Sequence, residues 1–186
     1  IFNTGLRGRQ PLILYANHPD FQQTNAIPGR ISQGTGGVTE GLKRRVVIPL
    51  TGVSVENDHV IGHELIHAFQ YSIASTSQNS RRRGIRAPLW FIEGMSEYLS
   101  VGRDYTLTSM WLRDAVLNEE VPTLEDMSRD PQYFPYRWGH AFWIYMSRGY
   151  GDDIVPALYK AVLSTEWNRA FEKLLGMSTD SLSKLW

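Results

Sequence analysis

Apolar residues cluster along the chain in two periods, and the change of period divides it. In the first third they come as short β-rich runs. Residues 11–16, PLILYA, predict a strand closed by the turn-like NHPD, and residues 44–50, RRVVIPL, predict a second. Pro49 cannot donate to a ladder, so the second strand is expected at a sheet edge. Between them SQGTGGVTEG (32–41) is glycine-rich and reads as a flexible loop or hairpin. From residue 58 the spacing turns helical. A helix is expected over 58–75, capped by Asn57 or Asp58, and its apolar positions wrap so widely that it must be buried. Residues 75–87 are polar and broken by glycine, hence a loop. Pro88 suits the first turn of a helix over 88–101. Further helices are expected at 106–118, 137–149, 152–164, 166–175 and 178–185, with Gly176 ending the penultimate one as a C-cap. Strands first and helices after predict an α+β fold. A single domain over 1–186 is expected, β-rich over 1–56 and helical over 57–186.

Composition narrows the function. Lys plus Arg and Asp plus Glu both number 19, so no overall field points to nucleic acid or anionic lipid. The one basic run, Arg81-Arg82-Arg83, reads as a solvated loop. No run reaches the roughly 18 apolar residues of a membrane span. The lack of cysteine removes disulfides, thiol catalysis and thiolate ligands together. GGVTEGLK (36–43) carries two glycines five apart, but Leu42 stands where a phosphate-binding lysine would be needed. No G-x-S-x-G occurs, which argues against a serine hydrolase. The first residue is Ile1, and the chain is expected to be a segment of a longer protein.

Three of the five histidines fall within nine residues, in HVIGHELIH (59–67). Residues four apart share a helix face. His63 and His67 can therefore aim at one point, and Glu64 lies one step round the helix. This is the H-E-x-x-H pattern, in which two neutral imidazoles bind zinc and the acid acts as base on a water molecule. His59 shares the face of His63 and reads as a helix-start residue, and His18 reads as a turn residue. A catalytic zinc site needs a third protein ligand and room for water. PLWFIEGMSEYLS (88–100) offers Glu93 and Glu97, again four apart. Acids on so apolar a helix are costly unless paired or metal-bound.

HELIH followed by W-x-x-E-G-x-x-E-Y resembles the gluzincin branch of the zincin metallopeptidases, the thermolysin-like group. More closely it resembles the bacterial domains described as peptidase MA-like. LILYA and DFQ upstream, YRWGHAFWIYM (136–146) and AFEKLLGMSTDSLSKLW (170–186) fit that family's run of elements. The resemblance implies a zincin-like fold and a Zn2+-dependent peptidase. His63, His67 and Glu93 would be the ligands, Glu64 the general base, and Glu97 the residue orienting a ligating histidine. Gly94 would let the second helix approach the histidine helix closely. An oxyanion donor is expected from Tyr136 or His140, with Tyr136 favoured by its place before Gly139. In the family an edge strand pairs with the substrate backbone, and residues 44–50 are the candidate here. Trp90, Trp138 and Trp143 suit a pocket or, more simply, the core. The partner would be a peptide or protein substrate, outside the bacterial cytoplasm, with other domains of a longer chain attached. Two alternatives remain: a non-catalytic zinc-binding scaffold on the same fold, and a zinc hydrolase of a non-peptide bond.

Overall fold

Three consecutive apolar residues, Val46, Val47 and Ile48, decide how the strands are arranged. A computed structural model describes residues 2, 5, 6, 8–78, 80 and 84–186; the run Arg81-Arg82-Arg83 lies outside them. Among these residues the fold is α+β, with nine helices and a three-stranded mixed sheet. The strands are β1 (Leu12–Tyr15), β2 (Val38–Glu40) and β3 (Arg45–Pro49), in the spatial order β1-β3-β2. β3 pairs parallel with β1, Leu12 opposite Val46, and antiparallel with β2, Thr39 opposite Val46.

The expected edge strand is thus the central one. A strand buried on both faces reads as a continuous apolar run. Val46 and Ile48 point to one face and Val47 to the other, and all three are buried. Pro49 is tolerated for a local reason. The amides of Val46 and Leu50 bond to Pro11 and Tyr15 on the β1 side, so Pro49 presents its missing donor to the opposite side. There β2 has already ended, at Val38 opposite Val47.

The chain divides into two compact units, Thr4–Ile73, and Ala74–Trp186 with Ile1–Asn3. The first holds the sheet, the short helix α1 (His18–Gln22) and nearly all of α2 (Ser54–Ala74). The histidine helix therefore belongs with the strands. The two compact units meet at 73/74. Val60, Ile61 and Ala68 of α2 pack on Val46 and Ile48, while Phe21, Ala26 and Ile31 cover Val47 from the other face. α2 begins at Ser54, ahead of the expected caps. Asn57 lies inside the helix, and its Oδ1 accepts from the Thr51 amide at 3.0 Å.

The second unit is helical: α3 (Leu89–Val101), α4 (Thr106–Leu117), α5 (Leu124–Arg129), α6 (Pro135–Tyr150), α7 (Ile154–Val162), α8 (Trp167–Leu175) and α9 (Thr179–Leu185). Its core is aromatic. Trp90, Phe91, Phe142, Trp143 and Phe171 are fully buried and meet largely edge to face. Trp90, Trp138 and Trp143 are thus core. The Trp143 indole donates to the Phe91 carbonyl at 2.9 Å and the Trp90 indole to Ser128 Oγ at 2.8 Å. Gly94 does serve a close approach, but to α6: a Cβ there would lie 2.2 Å from the backbone of Gly139. Gly176 ends α8 in the left-handed region, at φ 71°, as expected.

Candidate metal centre

The helical repeat of α2 puts His63 and His67 on one face, and their rings meet there. His63 is buried and His67 half-buried, and the two Nε2 atoms stand 3.1 Å apart. Two nitrogens bound tetrahedrally at about 2.0–2.1 Å from zinc would be separated by roughly 3.3 Å. The pair therefore has the spacing that one ion requires. His67 Nδ1 lies 2.7 Å from Oε1 of Gln70, a buried acceptor one turn on. That oxygen accepts a hydrogen bond from Nδ1–H, the tautomer that leaves Nε2 its lone pair for ligation. Gln70 passes unnoticed in the sequence, although its i+3 spacing from His67 is readable.

Glu64 sits beside the pair, 7% exposed, so its carboxylate is largely withdrawn from bulk water. Thr39 of β2 reaches it, with Oγ1 2.6 Å from Glu64 Oε2 and 2.8 Å from the Glu64 carbonyl oxygen. Thr39 shares the sheet face of Val46, which is the face α2 covers. His59 lies one turn before His63, with ring centroids 6.4 Å apart. His18 opens α1, and its Nε2 donates to the Thr35 carbonyl at 3.0 Å.

In the second unit Glu93 and Glu97 stand one turn apart on α3. Glu97 is 2% exposed and accepts from the half-buried Arg137, Nη1 to Oε2 at 2.8 Å, in an ion pair. The Arg137 guanidinium also lies 4.9 Å from the centre of the Tyr105 ring. Arg137 was hidden among the aromatics of PYRWGHAF. Tyr136 is half-buried in the first turn of α6, its ring stacked on Phe134 at 5.0 Å.

His140 departs from its expected role. It is fully buried, Nε2 donates to the Gly102 carbonyl at 2.7 Å, and Nδ1 accepts from Thr108 Oγ1 at 2.8 Å. Both ring nitrogens are engaged in holding α6 to α4 and to the end of α3. No donor remains for a substrate oxygen. Among the described residues no helix is long and apolar enough to cross a membrane. The chain matches no protein-family model, no curated protein and no solved structure.

Proposed function

We propose that the chain is a zinc-dependent peptidase with a zincin-like fold of the gluzincin type. The observation that carries this reading is the approach of the His63 and His67 Nε2 atoms to 3.1 Å, with Glu64 between them in sequence. Glu93 is the third ligand, as the resemblance implies. Two imidazole nitrogens and one carboxylate suit zinc. When bound, zinc supplies the acidity that readies a water molecule for attack and the positive charge that offsets the oxyanion.

The residues do the rest. Glu64 takes the proton from the attacking water and passes it to the leaving amine. Tyr136 donates its hydroxyl to the substrate carbonyl oxygen as charge builds there. His140 has no part in that step, since both its nitrogens are committed. Glu97 steadies a ligating histidine, with Arg137 balancing its charge. The substrate lies extended along a sheet edge. β3 is excluded by its two partners, and β2, which pairs with β3 alone among the described residues, takes its place.

The test is zinc content and cleavage of unfolded protein, measured for the wild type and for Glu64→Gln. Bound zinc is expected in both. Cleavage should fall about 10²–10⁴-fold in the variant, the usual worth of a general base. Zinc without turnover against a broad peptide library would instead favour the scaffold. Absence of stoichiometric metal at neutral pH would end the peptidase reading.

A further inference from the structure

The stretch Gly36-Gly37-Val38-Thr39-Glu40 is too poor in lysine for phosphate binding, and its side chains have no part in the mechanism above. Its position beside Glu64 assigns it one. We propose that Thr39 is a positioning residue: it anchors the Glu64 carboxylate to strand β2, with Gly37 kept small to leave that carboxylate its place. The inference rests on Glu64 being the base.

One contact holds the carboxylate, and one gap leaves room for it. Oε2 accepts from Thr39 Oγ1 at 2.6 Å. Oε1 lies where the strand has no side chain. A Cβ on Gly37 would fall 3.0 Å from Oε1, 2.9 Å from Glu64 Cγ and 3.1 Å from Val60 Cγ1, so any residue but glycine would push the glutamate aside. Thr39 suits the task because a β-branched side chain on a strand has few χ1 options. Its hydroxyl is aimed by the ladder pairing with Val46, which turns residue 39 towards α2. The hydroxyl has one proton and two acceptors in reach, and a carboxylate is the stronger of the two. A glutamate held by one oxygen, with its place left clear by Gly37, keeps a single rotamer. It need not be ordered again at each turnover.

A merely structural Thr39 would use its second contact, to the Glu64 carbonyl at 2.8 Å, to staple β2 to α2. The two roles separate in Thr39→Val, which keeps the branched shape and loses the hydroxyl, and Thr39→Ser, which keeps the hydroxyl. In the zinc-loaded protein Thr39→Val should lower kcat about tenfold with KM and zinc content unchanged, and Thr39→Ser should recover most of it. Crystal structures of both variants give a readout independent of turnover. Glu64 should leave its rotamer or split between several in Thr39→Val, and keep one in Thr39→Ser. An unmoved Glu64 in Thr39→Val overturns the proposal, as does an unchanged kcat. If the wild type cleaves nothing, the peptidase reading fails, and the crystal structures still decide whether Thr39 holds Glu64.

Discussion

A histidine ligates through one nitrogen, and the hydrogen bond at the other decides which. In the proposed zinc site Gln70 makes that choice for His67. Gln70→Leu is expected to weaken zinc binding about 10–100-fold, read by competition with a chromogenic chelator, while Gln70→Glu retains an acceptor and loses less. Arg137 and Glu97 answer a different need, that of a charge inside protein. Arg137→Met strands the Glu97 carboxylate and should cost about 3 kcal/mol in urea unfolding; adding Glu97→Gln should return part of it. These partners explain why the site was only half readable. Metal chemistry demands fixed residue types at a fixed helical spacing, so His63, Glu64 and His67 announce themselves. Thr39 and Arg137 act across turns of the fold, and nothing in their own neighbourhoods marks them. His140 misled for the opposite reason: one helical turn from Tyr136 on α6, it looked like chemistry and proved to be a doubly bonded core residue.

At the scale of elements, one close contact is glycine on glycine. α3 and α6 touch at Gly94 and Gly139, where a Cβ on Gly139 would come 2.0 Å from the Trp90 carbonyl oxygen. Backbone cannot rotate out of the way as a side chain can. Gly139→Ala should therefore force the helices apart and cost at least about 3 kcal/mol, read as a lowered urea midpoint, the upper range for overpacking. The helices α3, α4 and α6, and the shorter α7, α8 and α9, were legible within a few residues. Two short ones, α1 and α5, were not. α1 was read as a turn because Asn17 and Pro19 serve both structures, and it exists because Asn17 caps Asp20 and Phe21 is buried beneath it. α5 was missed although Thr123 and Asp126 form a capping box, since six residues hold too little periodicity to detect. Pro49 was given too much weight and the run Val46-Val47-Ile48 too little, which moved the central strand to the edge.

For the molecule as a whole, stability should respond to acid and to metal. Asp152 is held below its ordinary range by the Tyr98 hydroxyl and then by Arg103, Asp126 by the Thr123 hydroxyl and amide, and Glu40 chiefly by Arg45. Each has a folded pKa below its unfolded one. Each contribution is complete above the unfolded value near 4 and disappears as pH falls through the folded one. The urea midpoint should be flat from about pH 5 to 7 and decline below about 4, and Asp152→Asn should make that decline shallower. If zinc binds the native chain alone, stripping it should lower Tm. At zinc one hundredfold above Kd the loss corresponds to about 2.7 kcal/mol.

The residence of both histidines within one uninterrupted helix has a genetic consequence. Substitution at Leu65 or Ile66 preserves the phase of the flanking imidazoles, whereas a single inserted codon would rotate one of them by about 100° around the axis. Length change should be barred from the three residues between the histidines, and descendants of the chain should differ there in letters, never in number.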